Sequence, residues 1–237
     1  MLILSIDSST ESASCAILEE NRLLGEISFN YKKQHSVILM TMVDNLLKNL
    51  ALTITDIDGF VISKGPGSFT GLRIGIATVK GLSQGTGKPF LGVSSLDALA
   101  YNMAFTSGIV CPIIDALRGN VYTALYKFNG AKLEKISDYL LISIDELLIL
   151  LKEKEETCTF IGDAVHIFKD KLVEALPGVQ FAPVHLNLAR ASALGELGLS
   201  SLALGNHDDI NTFAPLYLRK CQAEREYDKK MELLKNV

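Results

Sequence analysis

Apolar and polar positions follow two regimes along this chain. Short apolar runs bounded by turn residues predict strands at residues 2–6, 14–18, 23–29, 60–63 and 90–93. Apolar residues spaced three and four apart predict helices at about 36–50 and from Ser68 or Thr70 to near Gln84. Ser94-Ser-Leu-Asp97 has the spacing of a capping box and opens a further short helix. The chain thus begins with three strands in succession, not with a strand–helix–strand unit. In the second half, strands are expected at 109–115, 121–128, 132–141 and 159–161. A helix opens at the capping box Ser143-Ile-Asp-Glu146, another ends near Ala175, and an Ala/Leu-rich one spans about 188–204. Pro177-Gly178 and Gly205-Asn206 are breakers, and residues 219–235, with charges of alternating sign, read as a solvated helix.

The two halves begin alike. Residues 2–7 and 109–115 are apolar strands ending in Asp, each followed by a turn and a second strand. Aligning Asp7 with Asp115 places Ala16-Ile-Leu against Ala124-Leu-Tyr. A duplicated strand–Asp–turn–strand start predicts an α/β chain with the two-lobed actin-like ATPase (ASKHA, ribonuclease H-like) fold. The lobes are expected at 1–108 and 109–237.

Composition narrows the function. The 237 residues are 48% apolar and 21% charged, which is globular, and the net charge of −4 argues against autonomous nucleic-acid binding. No apolar run reaches membrane-spanning length, and Asp7 interrupts a start that lacks a basic leader, so a cytoplasmic protein is expected. Cys15, Cys111, Cys158 and Cys221 make no paired motif and are expected to be reduced.

The most specific string is Lys64-Gly-Pro-Gly-Ser-Phe-Thr-Gly-Leu-Arg-Ile-Gly75. Its glycines allow close backbone approach, and the helix start after it would suit an anion. It is neither a Walker loop nor a dinucleotide fingerprint, and a tight packing turn explains it as well. Asp7 and Asp115 sit where actin-like kinases organise Mg²⁺ and nucleotide, with Ser9 a further candidate. Each Asp equally suits a turn closed on its own backbone. No His lies near Ser8, Ser9 or Thr10 in sequence to act as a base, and His35, His166, His185 and His207 lack ligand spacing. Between Val37 and Leu50 the apolar residues cover an arc of roughly 200°, about twice what one sheet needs. Met40 and Leu47 are expected to form its exposed part, and self-association through that patch follows.

Asp7-Ser-Ser-Thr10, Gly65 to Gly75, Ile114-Asp-Ala-Leu-Arg-Gly-Asn-Val-Tyr122 and Pro215-Leu-Tyr-Leu-Arg219 resemble the TsaB (YeaZ) family over essentially the whole chain. The resemblance implies a non-catalytic subunit that supports TsaD, with TsaE as an associated ATPase, in threonylcarbamoyl transfer to the adenosine beside the tRNA anticodon. It implies a partner interface on the first helix and the Gly-rich helix, including Val37, Met40, Val43, Leu47, Gly71 and Gly75, which also self-pairs. Arg73 is expected to be structural or interfacial. Where the catalytic relative carries a metal-binding His-x-x-x-His pair, this chain has Ser95 and Leu99, so no metal is expected. No intrinsic cofactor is expected either, with ATP or ADP and Mg²⁺ at the partner interface left open. The alternative is an actin-like kinase or ATPase using Asp7 and Asp115. A peptidase would need a metal pair or an activated nucleophile, and the sequence offers neither.

Overall fold

In the computed structural model, which describes residues 1–30 and 35–219, the duplicated start becomes a duplicated sheet. Strands β1 (Ile3–Asp7), β2 (Ala13–Glu19) and β3 (Arg22–Phe29) pair antiparallel. On the other side of β1, β4 (Gly59–Gly65) and β5 (Phe90–Ser94) add in parallel, giving the order β3-β2-β1-β4-β5. The second half repeats this with β6 (Ile109–Asp115), β7 (Asn120–Thr123), β10 (Leu140–Ser143), β11 (Cys158–Ile161) and β12 (Gln180–Phe181). Their order is β10-β7-β6-β11-β12, with the same parallel and antiparallel pairings. A hairpin of β8 (Tyr126–Asn129) and β9 (Lys132–Lys135) hangs from β6. Asp7 and Asp115 therefore end the equivalent central strand of each sheet.

Both faces of each sheet are covered, which is why β1, β4, β6 and β11 are buried along almost their whole length. Helices α1 (His35–Asn49) and α2 (Phe69–Thr86) pack on the outer face of the first sheet. The outer face of the second carries α4 (Ile144–Lys152), opened by the expected capping box, and α5 (Val165–Ala175).

The last helix of each half crosses to the other half. After β5, α3 (Ser95–Tyr101) packs Leu96 and Leu99 against Val110, Ile114 and Ile161 of the second sheet. After β12, α6 (Ala191–Ala203) packs Leu194 and Leu202 against Ile3, Ala16 and Val61 of the first. Gly198 makes that approach feasible, since a Cβ there would lie 2.6 Å from Val61 Cγ2. The free N–H groups of α6 are also met from the first sheet. Ala191 N donates to Ser14 Oγ at 2.9 Å and Ser192 N to Glu26 Oε1 at 2.9 Å. Arg190 adds an ion pair to Glu26 at 2.7 Å. Beyond α6, Gly92 N donates to Asp208 Oδ2 and Leu216 N to Lys64 O, so the chain straps the edge of the first sheet beside β5. A boundary at 108/109 separates the two sheets, but α6 and this strap belong with the first.

Several expectations change in detail. The strand expected at 121–128 is two strands, because β7 pairs with β10 while β8 pairs with β6 and β9. Residues 132–141 divide into β9 and β10 for the same reason. Ser94 caps α3 alone by accepting from Leu96 N, and Asp97 turns away to Tyr126 and Tyr139, so there is no capping box. The helix expected from about 188 starts at Ala191, and β12 is an additional strand. Cys15, Cys111 and Cys158 are buried free thiols, whereas Cys221 and the expected helix beyond Arg219 lie outside the described residues.

Candidate functional site

The Gly-rich turn is a joint between β4 and α2, and three of its glycines, Gly67, Gly71 and Gly75, meet the turn after β1. A Cβ on Gly67 would lie 2.1 Å from Ser9 O, and one on Gly71 would lie 2.1 Å from Ser8 O. One on Gly75 would lie 2.3 Å from Ser8 Oγ. The contacts are closed by Ser68 N donating to Ser9 O at 2.6 Å and Ser8 Oγ donating to Gly71 O at 2.9 Å. Ser68, not Thr70, caps α2 by accepting from Gly71 N at 3.2 Å. Two N–H groups at this helix start are thus committed within the chain. Gly71 and Gly75, expected on a partner interface, are buried against Ser8 instead.

Asp7 lies beneath this joint and is fully buried. Its Oδ1 accepts from Ser9 N at 2.8 Å and from Ser9 Oγ at 2.7 Å, closing its own turn. Burial pushes its pKa up, while the Ser9 N–H and hydroxyl pull it down. Ser63 lies near enough to contribute, yet neither Asp7 Oδ2 nor Ser63 Oγ makes a hydrogen bond of ordinary geometry. The equivalent Asp115 also closes its own turn, accepting from Leu117 N at 2.8 Å. That turn holds Leu117, Arg118 and Gly119 at φ of 62°, 58° and 77°. Asp115 N donates to Asp163 Oδ1 at 2.9 Å, and Asp163 is pushed up to about 6 by burial and by the Asp115 charge.

The places of the expected absent metal pair have local roles. Ser95 Oγ donates to Pro66 O beneath the Gly-rich turn, and Leu99 packs in the core between the lobes. Among the described residues no group of three or more His, Cys, Asp or Glu is arranged to hold a metal.

The outer surface of α1 is narrower than the sequence predicts. Leu39, Met42, Val43, Leu46 and Leu47 are buried against the sheet. The expected interface therefore loses Val43 and Leu47, which are 1% and 8% exposed, because β3 and the chain beyond α1 cover that side. Val37 at 67% and Met40 at 47% remain exposed. On α2, Arg73 and Ala77 are exposed, and Gly81 has open space where a Cβ would point. Arg73 Nε donates to Tyr217 Oη at 3.0 Å, and its guanidinium lies 4.0 Å over the Phe69 ring. Phe69 and Tyr217 stack at 5.0 Å. Arg73 thus fastens the Pro215–Arg219 motif to α2, a contact invisible as sequence spacing because 144 residues separate the partners.

The paired sheets with their crossed helices define an actin-like, two-lobed fold. The family model described as TsaD: tRNA N6-adenosine threonylcarbamoyltransferase matches residues 22–227. A Bacillus subtilis protein named tRNA threonylcarbamoyladenosine biosynthesis protein TsaB is 34% identical over 96% of this chain and 98% of its own length. The Escherichia coli protein of the same name is 36% identical over 54% of this chain and 55% of its own. The structure of YeaZ from Pseudomonas aeruginosa superposes with a TM-score of 0.75 at 26% identity, over 92% of this chain and 99% of that one. The ethanolamine utilization protein EutJ from Carboxydothermus hydrogenoformans, at 13% identity and a TM-score of 0.52, shares the fold alone. The chain belongs to the TsaB (YeaZ) family.

Two outcomes follow from this geometry. Gly71→Ala drives a methyl group into Ser8 O and is expected to cost about 3 kcal/mol in urea unfolding. Gly81→Ala, into open space, is expected to be neutral or slightly stabilising. Equal stability of the two variants would mean that the joint is not packed as described. The second outcome concerns pH. Folded Asp163 takes up its proton near pH 6, against an ordinary value of 3.8, so its contribution is complete below 3.8 and is lost as pH rises through 6. Asp163→Asn is expected to be more stable than the parent at pH 7 by about 2 kcal/mol. That advantage should vanish below about pH 4, as checked by denaturation at both pH values.

Proposed function

We propose that this chain is the non-catalytic subunit that binds and supports a TsaD-type transferase, with TsaE, in threonylcarbamoyl transfer to the adenosine beside the tRNA anticodon. The observation that carries this is the sealed Asp7. Its carboxyl has no exposure, and one oxygen is committed to its own turn, so it is poorly suited to organise Mg²⁺, which needs accessible oxygens and retained waters. A kinase or ATPase using Asp7 and Asp115 is correspondingly disfavoured. The relatives' names supply the pathway, and the exposed Val37 and Met40 of α1, with exposed Arg73 of α2, supply side chains for a partner surface. Transferase chemistry, tRNA as substrate of the complex, and any ATP or ADP with Mg²⁺ belong to the partner or its interface. The same surface pairs two copies of this chain when the partner is absent. The chain works in the cytoplasm, and no helix among the described residues is long and apolar enough to cross a membrane.

The test replaces Val37 and Met40 by Asp together. Both side chains are exposed, so unfolding stability is expected to change by less than about 0.5 kcal/mol. Loss of self-association and of capture by the cognate TsaD-type protein is the expected outcome, read by analytical ultracentrifugation and co-purification. Undiminished capture by a folded double variant would remove α1 from the interface. Leu47→Asp, which buries a charge, is expected to unfold the chain instead.

A further inference from the structure

A cavity of about 390 Å³ opens at the lobe junction, between β5, α6 and β9. That size lies within the range of small-molecule sites. It is separate from the Asp7 joint, since Asp7, Asp115 and Asp163 do not line it. Its apolar wall is formed by Leu91 and Val93 from β5, Leu133 from β9 and Leu197 from α6, all left half-buried by the chain itself.

The charges around this wall do not balance. Lys64 and Lys135 reach the cavity from the two lobes, and among the described residues Asp97 is the one carboxylate that borders it. Lys64 has no side-chain hydrogen bond or ion pair among the described residues. The Lys135 ammonium lies 3.6 Å over the Tyr139 ring, a contact that leaves N–H donors unused. Asp97 is already occupied: Tyr126 Oη donates to Oδ1 at 2.7 Å, and Tyr139 Oη lies 2.9 Å from both oxygens. Among the described residues, one unmatched positive charge therefore faces an apolar wall.

We propose that this cavity binds a small organic monocarboxylate with an apolar body. The carboxylate bridges Lys64 and Lys135, and the body covers Leu91, Val93 and Leu197. A doubly charged phosphate would bring more negative charge than the one unmatched cation offsets. A neutral apolar molecule would give neither ammonium group an acceptor, leaving Lys135 with the Tyr139 ring alone.

The experiment titrates the isotope-labelled full chain with 3-phenylpropionate and with its neutral analogue 3-phenylpropanamide, following amide and methyl shifts by NMR. Saturable shifts at Leu91, Val93, Leu133 and Leu197 are expected with the acid. Binding about tenfold weaker is expected for the amide, and for the acid with Lys64→Ala/Lys135→Ala, because a charge-assisted contact is lost. A dispersed spectrum verifies that the variant is folded, and the amide comparison needs no variant. No saturable shift with the acid, equal affinity for acid and amide, or undiminished affinity in the folded double variant would overturn the assignment.

Discussion

The contact between Ser8–Ser9 and the three glycines of the Gly-rich turn is the constraint on which the rest of the structure depends. Gly67 and Gly71 meet carbonyl oxygens and Gly75 a hydroxyl, at distances no Cβ tolerates. This seats α2 directly on the end of β1, with Ser68 N and Gly71 N committed inside the chain. Asp7 is closed off beneath it. The same seating turns Phe69 and Arg73 outward, where Tyr217 joins them and ties the C-terminal strap to the helix. A glycine-rich string that resembles a phosphate cradle is thus filled by the protein's own backbone.

A second constraint is the exchange of α3 and α6. Each buries its apolar side against the sheet of the opposite half, so the two halves share cores and do not merely touch. Asp97 on α3 receives hydroxyls from Tyr126 and Tyr139 of the second half, and Ser95 fixes Pro66 from the same helix. Burial raises both tyrosine pKa values, that of Tyr139 well above the usual range, so these donors keep their protons at physiological pH.

Much of this was legible in the sequence, and what was missed has a common cause. The duplication could be read because each half repeats a local signal, an apolar strand ending in Asp7 or Asp115. Helix α4 could be read because Ser143 and Glu146 cap it locally. The start of α6 could not, because Ser14 and Glu26 satisfy it from 166 to 177 residues away. Leu47 looked available because helical periodicity shows how wide an apolar face is, not how much of it the neighbouring strand covers. Gly71 and Gly75 pointed to close packing, but Ser8 of this chain, not a partner surface, is what comes close. The break at Ala124 and Leu125 was hidden for a similar reason: strand pairing is long-range, and an apolar run reads the same whether or not it changes partners.

The proposed function rests most heavily on the closed Asp7 turn, and its central proposal is that this turn is not a nucleotide site. Calorimetric titration of the isolated, TsaE-free chain with Mg²⁺-ATP tests this most directly. The structure predicts no saturable heat attributable to Asp7. Stoichiometric binding that disappears in Asp7→Asn, with the variant still folded, would contradict it.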